Sequence, residues 1–240
     1  MADNVGDAMR TAAAAYRRFA ERAARTDCER ATSLAGWTVG DLIDHVAWGA
    51  AMEASAVRAA VGLPTAGAPT LDEAVAVFCA TAELDVDAGA PIALPAGTVP
   101  FGYAAPLFAF EAALHDLDLA RALGSGAAST DAALTDAELT DAELAACEIV
   151  LGPMLDLVAG PAPEHGVTID LLGLGAGVRL RAVDGGWRRA VPDGQPPTTT
   201  VVGSAQDVVL FACGRIGADA VEIRGERQHA ERFKTYFPGP

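Results

Sequence analysis

Residues 37–45 read W-T-V-G-D-L-I-D-H and residues 110–118 read F-E-A-A-L-H-D-L-D. Thr38 followed by Asp41 is a capping-box pattern that opens a helix running to about Gly62, with Trp37 placed ahead of the cap to staple it. In the second stretch Glu111 and His115 are four residues apart, about 40° on a helix that turns about 100° per residue. Asp118 continues that stripe, with Leu107, Phe108 and Leu114 beside it. His45 shares its helical face with Leu42, Trp48, Gly49 and Met52, which directs the imidazole into a bundle rather than toward water.

Each signal has a plain structural reading. Glu111 and His115 alone make an ordinary i,i+4 pair at a helix surface, and a lone histidine on an apolar face is most often a satisfied core residue. Two histidines and a glutamate directed from two helices into one bundle, however, form the nitrogen and oxygen donor set of a catalytic zinc site with positions left open for water or substrate. Taken together, the three point to a metal. Asp118 has two readings, an acceptor that orients a ligand imidazole through its N–H or a solvated helix carboxylate.

Helices extend on both sides of these motifs. Residues 3–27 are rich in Ala and Arg and read as a first helix; Thr70 with Glu73 caps a third that runs to near Gly89. The tract from Ala88 to Phe110 is uncharged, but its prolines and glycines make it a loop leading into a fourth helix from about Tyr103 to Leu123, with Pro106 tolerable only in the first turn. The repeat L-T-D-A-E-L-T-D-A-E-L offers two competing capping boxes, Thr135 with Glu138 and Thr140 with Glu143, for a fifth helix reaching about Val158.

Near residue 160 the period changes. G-V-T-I-D-L-L-G, G-V-R-L-R-A-V and W-R-R-A-V read as short strands, T-T-T-V-V-G as a β-branched run ahead of the helical S-A-Q-D-V-V-L-F-A-C-G-R, then D-A-V-E-I-R-G and a last helix E-R-Q-H-A-E-R-F-K-T-Y-F. Residues 1–160 carry 8 basic and 23 acidic side chains, whereas residues 161–240 carry 9 of each. The expected architecture is therefore α+β in two domains, a helical bundle over residues 1–160 and a small α+β domain over 161–240.

The composition narrows the function. A net charge of -15 over 240 residues repels nucleic acid and anionic membranes alike. Cys28, Cys79, Cys147 and Cys213 are too scattered for a disulfide framework or a cysteine zinc finger and are expected to fill core space. The start M-A-D-N-V-G-D-A-M-R has no basic segment followed by an apolar one, so a cytoplasmic location is expected. His165 and His229 are expected to face solvent, and monomer and dimer are both open.

The W-T-V-G-D-L-I-D-H and F-E-A-A-L-H-D-L-D motifs resemble those of the mycothiol-dependent maleylpyruvate isomerase family, a DinB-like up-down helical bundle. The stretch from Thr198 through Phe233 is similar to that family's small C-terminal domain. The resemblance implies that His45, Glu111 and His115 bind one divalent metal, usually zinc, and that Arg215 matches a basic position that holds a substrate carboxylate; an arginine there also suits a plain helix cap. It further implies mycothiol as the thiol cosubstrate. Two neutral imidazoles and one carboxylate leave the metal a net positive charge, which lowers the pKa of a water or thiol on it. A thiolate that adds to an activated double bond permits rotation about the new single bond and leaves a trans isomer on expulsion; the same thiolate opens an epoxide or displaces a leaving group. A zinc- and thiol-dependent isomerase or S-transferase acting on a small electrophile is the expectation, with a thiol-independent metal enzyme or a non-catalytic metal-binding module as alternatives. A dianionic substrate gains no steering from the acidic bundle, since Arg58 and Arg121 lie off the ligand faces, and the uncharged Ala88 to Gly102 tract suits an apolar electrophile at the mouth of the site.

Overall fold

Four helices build the first half of the chain because each carries an apolar stripe at helical spacing. In the computed structural model, which describes residues 2–65, 67–68, 70–124 and 138–238, these are α1 (Ala2–Ala23), α2 (Val39–Ala60), α3 (Leu71–Thr81) and α4 (Phe101–Gly124). The α1 stripe Val5, Met9, Ala12, Tyr16, Phe19 and Ala23 is buried and lies along α4. α2 lies along α3 and also meets α4. Tyr16, Phe78 and Phe108, one each from α1, α3 and α4, stack edge to face through the centre, with ring centroids 4.8 and 6.2 Å apart.

The local signals place the helix starts well. Thr38 and Asp41 form the capping box of α2, and the Glu73 N–H donates to Thr70 Oγ1 at the head of α3. Of the two competing boxes, Thr140 with Glu143 opens α5 (Asp141–Val158); Thr135 lies outside the described residues.

The ends differ more. α1 stops at Ala23 because Thr26 Oγ1 donates back to Arg22 O at 2.7 Å and Thr26 N–H to Ala23 O, which tightens the chain into a turn. α3 ends at Thr81, well before Gly89. Within the proline-rich tract the structure has a hairpin, β1 (Pro91–Leu94) antiparallel to β2 (Gly97–Pro100), with Pro91 opposite Pro100 at its open end, where neither needs an N–H, and Ile92 fully buried. The hairpin packs against α2 and α4. α4 begins at Phe101, so Pro106 sits in its second turn.

The remaining elements are β3 (Thr168–Leu172), β4 (Val178–Val183), β5 (Gly186–Ala190), β6 (Thr199–Val202), α6 (Ala205–Ala212), β7 (Glu222–Gly225), α7 (Arg227–Glu231) and α8 (Phe233–Tyr236). The strands form one sheet in the order β5-β4-β3-β6-β7, parallel only between β3 and β6. Asp184 and Gly185, both at positive φ, make the tight β4–β5 turn. Ile169, Leu171, Leu180 and Val201 supply the buried residues of the sheet, and Phe211, Phe233 and Phe237 those of the helical segments. The expected last helix is broken at Arg232 into α7 and α8.

Two compact units result, Met1–Ala146 and Cys147–Pro240. The division falls inside α5, ahead of the change in sequence period near residue 160. The later turns of α5 pack with the second unit, where Asp156 pairs with Arg189 Nε at 2.5 Å. Among the described residues no helix is long and apolar enough to cross a membrane.

Candidate metal centre

His45 reaches its place through the loop ahead of α2. Thr32 N–H and Oγ1 both donate to Trp37 O, and Trp37 N–H donates to Leu34 O, which fixes the loop as a small hairpin before the capping box. The Trp37 ring, held this way, packs edge-on against the His45 imidazole at 5.1 Å between centroids. His45 is half-buried and Trp48, on the same face, is 57% exposed, so this face borders solvent rather than pointing wholly into the bundle. Leu42, fully buried, takes the inward position.

α4 supplies the other groups. It is buried along nearly all its length, so its polar side chains must find partners within the bundle. His115 Nδ1 lies 3.2 Å from Asp118 Oδ2, and Asp118 is fully buried. A carboxylate only accepts, so Nδ1 carries the hydrogen and Nε2 is turned toward Glu111 and His45. Asp116, next in sequence but about 100° around the helix, points elsewhere and pairs with Arg18 and Arg22 of α1.

His45, Glu111 and His115 converge. One donor atom from each lies within 4.8 Å of the others; the two imidazoles are 4.9 Å apart between centroids, and His115 Nε2 is 3.5 Å from Glu111 Oε2. His115 Nε2 is buried and makes no hydrogen bond. A buried nitrogen that makes no hydrogen bond and stands 3.5 Å from a carboxylate oxygen, beside a second imidazole, fits a divalent cation with mixed nitrogen and oxygen donors. Burial opposes a charge on His115, yet the Asp118 hydrogen bond and the Glu111 carboxylate raise its pKa to about 9, so a cation held there would displace a proton. His45 is shifted the other way, lowered by burial and by the charge on His115, which favours the neutral ligand form.

Glu53 was not anticipated. It is 4% exposed on α2 and accepts a hydrogen bond from Tyr16 Oη at 2.7 Å. Burial, reinforced by the negative charge of Glu111, raises its pKa to about 8 against the Tyr16 hydrogen bond, so it is neutral at pH 7. The signal was present in the spacing, because Glu53 lies on the buried stripe Leu42, Val46, Ala50, Ala54 and Val57. A carboxyl whose folded pKa is raised from 4.5 contributes stability that is fully present below pH 4.5 and lost as pH rises through about 8. In metal-free protein, Glu53→Gln should therefore flatten the fall in unfolding free energy between pH 5 and 8.5, by on the order of a few kcal/mol at the alkaline end, and with it the fall in Tm. Parallel Tm profiles for the two proteins would contradict this.

Arg215 belongs to the second unit. Its Nη1 donates to Cys213 O at 2.8 Å, closing the C-terminus of α6, and it lines a cavity of about 260 Å³ with Lys234, Phe211 and Phe233. His165 is exposed as expected, but His229 is buried, its Nδ1 3.3 Å from Tyr236 Oη, because α7 and α8 fold against each other. Cys147 and Cys213 fill core space, whereas Cys79 is half-buried and Cys28 is exposed.

No protein-family model and no curated protein matches the sequence. Among solved structures, the mycothiol-dependent maleylpyruvate isomerase superposes with a TM-score of 0.61 at 20% sequence identity, covering 92% of this chain and 94% of that one. The chain has that isomerase's fold. A histidine-to-alanine mutant of the isomerase gives the same TM-score and coverage at 19% identity. With 92% of the chain covered, both units share in the likeness.

Proposed function

We propose that this protein is a zinc-dependent enzyme that uses a low-molecular-weight thiol, mycothiol, either to isomerise a small electrophile or to transfer the thiol to it, in the cytoplasm. The observation that carries this reading is the convergence of His45 with Glu111 and His115 around the buried Nε2 of His115, which makes no hydrogen bond. The similar isomerase fold supports the thiol.

Each side chain has a part. His45, Glu111 and His115 would hold the cation, and Asp118 fixes the His115 ring so that Nε2 faces it. A divalent cation in this place supplies Lewis acidity, bringing a thiol to its nucleophilic anion near neutral pH. Trp37 excludes water from one side of His45. Asp118→Asn should lower zinc affinity about 10–100-fold, read by competition with a chelator, with helix content unchanged; an unchanged affinity removes Asp118 from the site.

The deciding experiment measures zinc stoichiometry in the purified protein and turnover of a panel of activated cis-alkenes, epoxides and alkyl halides with and without mycothiol. Protein that neither contains nor takes up a divalent metal defeats the proposal. Full turnover without thiol replaces it with thiol-independent metal catalysis on the same bundle.

A further inference from the structure

Gly49 follows His45 by one turn in the middle of α2. A Cβ added there would meet nothing within 4 Å, and its φ lies outside the left-handed range. Neither packing nor backbone geometry requires glycine, and alanine would favour the helix. Beside it, Trp48 leaves 57% of its surface in solvent, more than Val61 or Leu63 at 38% each, the other large apolar side chains exposed in the first unit among the described residues. Its ring centroid lies 6.4 Å from that of His45, against which Trp37 also packs at 5.1 Å. A bare stretch of helix backbone and an uncovered indole thus adjoin one candidate ligand.

The charges that α2 itself presents on this face are of one sign. Asp41, Asp44 and Trp48 stand on one line of α2, and both aspartates are exposed. The one basic residue of α2, Arg58, donates from Nε to Pro64 O at 2.9 Å. An anionic group approaching this face meets carboxylates and no cation from α2.

We propose that the His45 face of α2, with Trp48 and Gly49 as its floor, binds the organic body of the substrate, and that this body is uncharged, flat and unsaturated. The inference rests on reading His45 as part of the metal centre. A conjugated plane stacks on the Trp48 indole, and the missing Cβ of Gly49 lets it lie against the helix backbone within reach of the metal ligands. Trp48 is then a specificity-determining residue, and Gly49 makes room for the plane at some cost in helix stability.

The test uses full-length protein, zinc-loaded and metal-free, with cinnamamide as the neutral planar probe and 4-carboxycinnamamide as its anionic counterpart, by calorimetric titration. Native protein should bind cinnamamide about tenfold more tightly than the carboxylated probe, and Trp48→Ala and Gly49→Leu should each weaken cinnamamide about tenfold without altering zinc content. Trp48→Phe should retain most of the binding, and Gly49→Ala should raise Tm by about 2–4 °C. Failure of native protein to bind cinnamamide, unchanged binding in both variants, preference for the carboxylated probe, or variants that weaken mycothiol alone would each overturn the proposal. Probe binding that behaves as described in protein that takes up no zinc would instead overturn the metal reading and leave the Trp48 and Gly49 binding face standing.

Discussion

Alanine at His45 or Glu111 is expected to abolish zinc binding and turnover together while leaving the fold intact. His45 is half-buried and the Glu111 side chain is 31% exposed, so truncating either leaves no sealed void and should change stability by less than about 1 kcal/mol. The effect falls on the cation. Three protein donors are the usual complement of a catalytic zinc site, and losing one leaves too few to hold metal against dialysis. The measurement is zinc per chain after dialysis, with turnover in the same samples. If the three groups only satisfied one another, the variants would shift Tm and metal content would never enter. Native-like zinc content in both variants would refute the ligand assignment.

Asp116→Ala is expected to cost about 3–5 kcal/mol, enough to lower Tm by on the order of 10 °C. Asp116 is 3% exposed and takes hydrogen bonds from Arg18 Nε at 2.9 Å and from Arg22. Arg18 also reaches Glu143 in the first turn of α5, so one buried network ties α1, α4 and α5. Removing its central carboxylate strands Arg22, which is 8% exposed and whose Nε already lacks a hydrogen-bond partner. Arg227 and Glu231, paired at 3.0 Å with half-exposed side chains, are the control: Glu231→Ala should change stability by about 0.5 kcal/mol or less. Thermal melts of the two variants side by side decide the matter, and equal shifts would mean the buried network carries no special weight.

These expectations differ in how far they were legible in the chain itself. The helix starts were written locally, because Thr38 with Asp41, Thr70 with Glu73 and Thr140 with Glu143 satisfy their own backbone groups. The ends of α1 and α3 were not, since no comparable stop residue marks them. The β1–β2 hairpin was hidden because its prolines and glycines read as loop. His229 was misplaced because its burial depends on α7 and α8 folding against each other, which no local pattern records.

Periodicity by itself determined which face of α2 carries His45 and that Glu111, His115 and Asp118 share one stripe of α4, since a helix maps sequence spacing onto angle without help from its neighbours. Only the tertiary structure decided that the two faces meet, that Asp118 turns to His115 while Asp116 turns to the arginines, and that Glu53 is buried as a neutral acid. Those outcomes depend on how the helices rotate against one another and on which polar groups are removed from water together, and both are properties of the packed bundle rather than of any segment in it.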